Sequence, residues 1–457
     1  MMRSSPVIKI VVPFLLVGAL SMLIGWGIAL YSIDFRYLLF LALLMVMIAV
    51  FAMGGKRTLQ VGFVIWIWMF ILGYRTIQLT SYFSLHPLTL LLALLFVDFL
   101  FLLKSERRIH LKLPGLLWAF SIFWLWGFIP GAARGLPWSQ MFSDALNFFL
   151  LIPLFMIILY LAGEVRFWKS AALAFLGAGA LIAFLGTLEF YFPSFRSLLP
   201  GFIQTDVEGL RSQSGFLRAS FSFFGANPAV LISALSLPMV WLVPKFYPGK
   251  TAVLTSLVLA AILVVAIYIS GTRAAWLMAF IASLLLAYFG RGWMGLGLGV
   301  ILWGIASRFL PAEAWNLIFS LTAPFASGQI VDTSLQKRFS RQEDAFQLAL
   351  QNPLGVGWAG SGWVHGDFTQ VAANLGLLAG IIFLLWYLQT LYRAWKAHRK
   401  YSQDRLLQAL LTAFVLCGIV LATEGVQVLT QFVMPIWFIW GLMEAYLQRK
   451  NSESFVS

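Results

Sequence analysis

The chain has 457 residues, 61% of them hydrophobic and only 11% charged, where a soluble domain is about half apolar and a quarter charged; a soluble globular protein is excluded before any motif is read. A formal net charge of +14 would point to nucleic acid in a soluble protein, but no long basic run or stacking platform is present to receive one, and cytoplasmic loops of membrane proteins collect Lys and Arg. The single Cys417 rules out an internal disulfide and a cysteine-based metal cluster, and His86, His110, His365 and His398 are too scattered for a zinc motif.

The apolar residues fall in long runs with short charged punctuation, the pattern of a polytopic membrane protein. The first run, Val7 to about Tyr31, is too long for a signal-peptide core and lacks a small-residue cleavage site, so it reads as a retained helix. A span needs about 20 apolar residues. Candidate helices start near residues 7, 36, 60, 87, 113, 144, 169, 226, 251, 274, 292, 368, 405 and 431, giving an expected count of twelve to fourteen. With the N-terminus inside and the helices alternating, twenty of the 31 Lys and Arg fall on inner segments, the densest being Arg393 to Arg405. This positive-inside bias predicts an even number of helices and cytoplasmic termini. The expected fold is all-α, a polytopic transmembrane helix bundle. N-terminal helices would occupy residues 1–192, a central region 193–392, and C-terminal helices with a cytoplasmic tail 393–457.

Two loops exceed a turn, over about 193–224 and 310–366, and both fall outside, where function is expected to sit. The second contains a helical stretch, Arg338 to Gln351, with Phe339, Phe346 and Leu350 at helical spacing and Arg341, Glu343 and Asp344 among the polar positions. It reads either as an interfacial amphipathic helix or as a solvated cap on the bundle. The glycine-dense run from Gly290 to Gly299 lies in an apolar segment and reads as close helix packing.

Arginines at the outer boundary run against the charge bias and imply an anionic partner or a snorkelling role. Arg273 lies in Ser270-Gly271-Thr272-Arg273-Ala274-Ala275-Trp276, a connection so short that it must sit at the membrane edge. There the guanidinium and backbone N–H groups of the next helix could face one anion; a snorkelling anchor is the alternative. Arg218 precedes Gly225-Ala226-Asn227-Pro228, a helix-start signal, and is equally readable as a plain loop arginine. Arg211, near Asp206 and Glu208, reads as part of a solvated charge cluster. His365, in Gly362-Trp363-Val364-His365-Gly366-Asp367, is a candidate general base, with Asp367 or Glu343 to orient it, or a structural histidine. Gly355, Gly357 and Gly360 spell G-x-G-x-x-G, but no strand precedes them, so a flexible or tightly turned backbone beside a substrate is expected, not a dinucleotide site. Asp98, Glu189 and Glu424, in or at the ends of apolar segments, are candidates for an ion path or for pairing with outer arginines.

Three features together resemble the O-antigen ligase and polymerase superfamily, over about residues 205–390. They are Arg218 to Pro228, Ser270 to Trp276, and Arg341 followed by Asn352 to Gly357, His365, and Asn374 to Gly380. The resemblance implies a GT-C-like bundle acting as a glycosyltransferase on an undecaprenyl-diphosphate-linked glycan at the outer face of the bacterial inner membrane. Carried over, Arg218 and Arg273 would hold the diphosphate and His365 would activate the acceptor hydroxyl. Arg341 and Arg338, with Asp367 and Asn374, would be further substrate contacts. The family often has Asn directly after this His, whereas here Gly366 and Asp367 follow. The acceptor would be a second lipid-linked glycan or lipid A-core, with membrane lipid around it, no nucleic acid, no metal and no cofactor. Two other readings compete. A polysaccharide transporter or flippase would use Asp98, Glu189 and Glu424, but no internal repeat is found. A peptidoglycan-type polymerase would need a catalytic acid in an outer loop, such as Asp332 or Asp367.

Overall fold

The computed structural model describes residues 55–72, 77–80, 83–85, 87–105, 113–192, 194, 226–308, 333–362, 364–424 and 430–456. The helices expected near residues 7 and 36 lie outside these, as do Asp206, Glu208, Arg211 and Arg218. In chain order the described residues form α1 (Lys56–Trp68), a 3-10 turn (Met69–Leu72), strands β1 (Ile77–Thr80) and β2 (Phe83–Leu85), α2 (Pro87–Ser105), α3 (Gly115–Trp126), α4 (Phe128–Ala133), α5 (Trp138–Phe149), α6 (Leu151–Leu161) and α7 (Val165–Tyr191). They continue with α8 (Ala226–Ser236), a 3-10 turn (Leu237–Leu242), α9 (Val243–Phe246), α10 (Lys250–Ile269), α11 (Arg273–Ser307), α12 (Thr333–Gln351), α13 (Asp367–Leu375), α14 (Leu377–Lys400), α15 (Arg405–Thr423) and α16 (Thr430–Val456).

In lipid every backbone polar group must be satisfied within its own segment, which makes helices of these apolar runs. Eight helical segments among the described residues are long and apolar enough to cross a membrane. The chain is therefore a multi-pass membrane protein built as a helix bundle. Beside the helices, β1 and β2 pair antiparallel in a short hairpin, with Ile77 opposite Leu85.

One of the eight, Arg273–Ile305, is folded back on itself. Arg291 (φ −140°) and Gly292 (φ 61°) leave the helical region, and the chain reverses there. Trp303 Nε1 donates to Ser283 Oγ at 2.7 Å, and the Phe280 and Trp303 rings lie 5.4 Å apart. Twenty residues of straight helix would separate those groups by about 30 Å. The helices expected from 274 and 292 are the two limbs, and the glycines let them close: a Cβ at Gly295 would overlap the Ala287 carbonyl.

The helix expected from 368 is broken as well. It stops at Leu375, and Gly376 (φ 101°) restarts the chain as α14. A Cβ at Gly376 would sit 2.7 Å from Pro353 O, and Leu377 N–H donates to the same carbonyl. That close approach to the preceding loop forces the break.

Lipid tails are as apolar as leucine, so the bundle core is held by packing, not by expulsion from water. Phe63, Trp66, Phe70, Phe175 and Phe438 form one aromatic cluster, and Phe148, Phe383, Trp386, Trp437 and Trp440 another. All ten are buried.

Lysines gather at one end of the bundle. There Lys56 pairs with Glu164 at 3.2 Å, Lys169 Nζ donates to Phe246 O, and Lys245 pairs with Asp404 at 3.2 Å. Lys400 and Lys450 lie over the Tyr401 ring. Asp404 also caps α15 through the Leu406 N–H and accepts from Tyr446 Oη at 2.7 Å. Burial alone would raise its carboxyl, but these bonds and Lys245 hold it below the ordinary value. α16 ends at this basic end and stays helical to Val456, through residues expected to be a tail.

Candidate functional site

The opposite end of the bundle is built around α12, which supplies the helical stretch expected in the second loop but begins earlier, at Thr333. Its packed face is not the aromatic one. Ala345 and Ala349 lie against Val364, Ala372 and Ala373, while Phe339, Phe346 and Leu350 are exposed. Small side chains bring α12 close to α13 and leave the aromatic stripe facing outward.

From that position α12 ties down both His365 and the end of α15. Arg338 Nη1 donates to Glu424 Oε1 at 2.6 Å and to Thr423 O at 3.3 Å. The Glu424 carboxylate is buried and Arg338 is one-quarter exposed, so this is a charge-assisted bond shielded from water on one side. It also sets a cation at the negative end of α15. One turn on, Gln342 Nε2 donates to His365 O and, at 3.1 Å, to Ala422 O.

The loop before His365 is held from below. Asn374 Oδ1 accepts from Ser361 N–H at 3.0 Å, and Gln370 Nε2 donates to Gly362 O at 3.2 Å. Asp367, Gln370 and Asn374 are all buried on one face of α13. Earlier in the loop, Val356 and Gly357 N–H donate to the carbonyls of Ala373 and Asn374. Trp358 donates its backbone N–H to Gly127 O and its indole N–H to Trp124 O. Asp144 accepts from the Ala359 N–H, steadying a residue in the left-handed region (φ 63°). The glycine motif is thus a tightly turned wedge packed between α4 and α13. Arg134 Nη2 fastens the rim, donating to Asn352 Oδ1 at 2.6 Å.

Arg273 shares this end. The first limb of α11 finishes at the basic end, where Phe289 meets the His398 ring at 4.4 Å and Gly290 abuts Trp241, which donates to Gln408 at 3.0 Å. Sixteen residues of helix span about 24 Å, which carries Arg273 to the end where α15 finishes at Thr423. Arg273 is half-buried. The Thr272 N–H, expected to help face an anion, is taken by Ser270 Oγ at 3.0 Å.

The electrostatics single out His365. Burial, then the charges of Arg338 and Arg341, lower its imidazole from the usual 6.5 to about 4. A histidine so depressed is neutral at physiological pH. As pH falls below about 6.5 the unfolded chain takes up a proton that the folded one refuses. Its folding contribution is therefore whole above about 6.5 and is lost as pH falls through about 4. Arg341 is exposed, so Arg341→Gln should raise the His365 pKa without unfolding the protein. A pH titration of labelled histidine by NMR checks this; no upward movement would mean that Arg341 does not act on the imidazole.

The sequence offered Glu424 as a partner for an outer arginine, and Arg338 is that arginine, but it did not single out Arg338 as the partner and missed Gln342, Gln370 and Asp144. Helical spacing offered a signal for two of these: Gln342 lies one turn beyond Arg338, and Gln370 one turn before Asn374. Asp98 and Glu189 lie on α2 and α7, apart from this cluster in the chain, and Asp98 Oδ2 has no hydrogen-bond partner. Among the described residues no group of three His, Cys, Asp or Glu side chains could hold a metal ion.

No protein-family model matches the sequence, and a comparison with curated proteins gives no match.

Proposed function

We propose that the chain is a membrane glycosyltransferase that moves a glycan from an undecaprenyl-diphosphate carrier to an acceptor hydroxyl, in the synthesis of a cell-surface polysaccharide such as O-antigen or exopolysaccharide. One observation carries the reading. The end of the bundle where α12 packs gathers a neutral imidazole, His365, two guanidiniums that act on it, Arg338 and Arg341, and a third, Arg273, at the same end. The resemblance of the Ser270–Trp276 and Asn352–His365 segments to O-antigen ligases and polymerases supports it. By the positive-inside rule the lysine-rich end faces the cytoplasm of a bacterial inner membrane, and the site faces outward.

In this reaction the acceptor oxygen attacks the anomeric carbon as the bond from that carbon to the diphosphate oxygen breaks, with inversion. His365 takes the acceptor proton, and the arginines neutralise charge growing on the departing diphosphate. The glycosyl diphosphate is already activated, so the chemistry requires neither a nucleotide nor a metal. An imidazole at about 4 is a weak base in the empty site. The donor's negative charge offsets Arg338 and Arg341 and raises it, so His365 becomes effective when the donor is bound. The acid limb of kcat, which reports the loaded enzyme, should therefore lie above that of kcat/KM, which reports the free one.

His365→Ala should retain the lipid-linked donor and lose turnover by about 100-fold or more, read as donor binding and initial rate on the purified protein. Unchanged turnover would return His365 to a structural role. The acceptor decides between a polymerase, using a second lipid-linked unit, and a ligase, using lipid A-core.

A further inference from the structure

Near the basic end, a cavity of about 380 Å³ opens between α7, α9 and α10. Its walls are Leu173 and Leu176 from α7, Val243 and Tyr247 at and just after α9, and Thr251 to Leu259 along α10. The run from Thr251 to Leu259 is about 12 Å of helix, a slot suited to part of an extended hydrocarbon chain. The neighbouring face of α10 presents exposed Val253, Leu254, Leu257 and Val258. In a membrane-spanning bundle such a face looks out on lipid, so the slot opens to the bilayer.

Charge tells which lipid fits. Lys169 lies one turn before Leu173 on α7. Its ammonium sits 3.9 Å from the Tyr247 ring centre and 3.5 Å from Phe246 O, at the mouth of the slot. Lys250 opens α10 and is exposed. No acidic residue lines the cavity, and the nearby Asp404 is already engaged by Lys245 and Tyr446. An apolar slot with two ammonium groups at its cytoplasmic-type rim matches a phosphate headgroup above an acyl chain.

We propose that this groove is a binding site for an anionic glycerophospholipid of the leaflet at the basic end, with one acyl chain in the slot and the phosphate at Lys169 and Lys250. The site lies at the opposite end from His365 and stands whether or not the transferase reading holds.

The full-length protein in nanodiscs of mixed phosphatidylglycerol and phosphatidylcholine provides the test, in two measurements. Native mass spectrometry should show phosphatidylglycerol retained over phosphatidylcholine. Lys169→Gln and Lys250→Gln should each lower that preference by about fivefold. Independently, phosphatidylglycerol with a photoreactive acyl chain should cross-link wild-type protein chiefly within residues 173–177 and 251–259, which needs no variant to fold. Equal retention of the two lipids, a preference unchanged in the variants, or cross-links spread evenly over the lipid-facing surface would overturn the proposal.

Discussion

Arg273→Ala should lower transfer from the lipid-linked donor by about two to three orders of magnitude, with the protein still folded in the membrane. The side chain begins α11 at the membrane edge and is half-buried. The turn that presents it is held by other groups. Ser270 Oγ receives the Thr272 N–H, Trp276 Nε1 donates to Ile267 O, and the Tyr268 and Trp276 rings stack at 6.0 Å. Alanine is a good helix former, so what is lost is the guanidinium. Arg273→Lys keeps the charge without the two-pronged donor and should recover only part of the rate. Initial rates alongside thermal unfolding in detergent check both. A wild-type rate in Arg273→Ala would remove this residue from the site and with it the diphosphate contact.

Gly357→Ala should destabilise the fold by about 3 kcal/mol or more. Gly357 has φ 93°, a conformation costly for any residue with a Cβ. The added Cβ would overlap the backbone N and Cα of Gly131. Backbone atoms of α4 cannot rotate away as a side chain can. Gly362→Ala makes the control. Its φ is 64°, but nothing lies within 4 Å of the added atom, so it should cost only about 1 kcal/mol. Thermal unfolding of the purified variants separates the two; equal loss would mean that the wedge between α4 and α13 is not tightly packed.

The sequence displays the helices because each apolar run is a local property, readable by length and composition. The reversal at Arg291–Gly292 was legible for the same reason, since a charged residue and a glycine interrupt an apolar run. The break at Gly376 was not, because Asn374 to Gly380 reads as one stretch of small and apolar residues. What stops α13 is contact with Pro353, more than twenty residues earlier. What packs on the glycine motif was hidden on similar grounds: Gly357 meets Gly131 on α4 and Trp358 donates to Trp124 on α3, over 200 residues away. Pairing of Glu424 with an outer arginine was legible, but which arginine was not, because Arg338 lies 86 positions away. Arg218, which carries part of the resemblance, lies outside the described residues, and the reading of the site rests here on Arg273, Arg338, Arg341 and His365.

The most direct test of the transferase reading is to purify the protein, supply undecaprenyl-diphosphate-linked repeat units without any nucleotide sugar, and follow product size on a gel, first alone and then with lipid A-core. A transferase gives either longer lipid-linked chains or glycan transferred to lipid A-core, lost in Arg273→Ala and His365→Ala. No product with either acceptor, from folded protein that binds the donor, would contradict the transferase reading and favour a transporter.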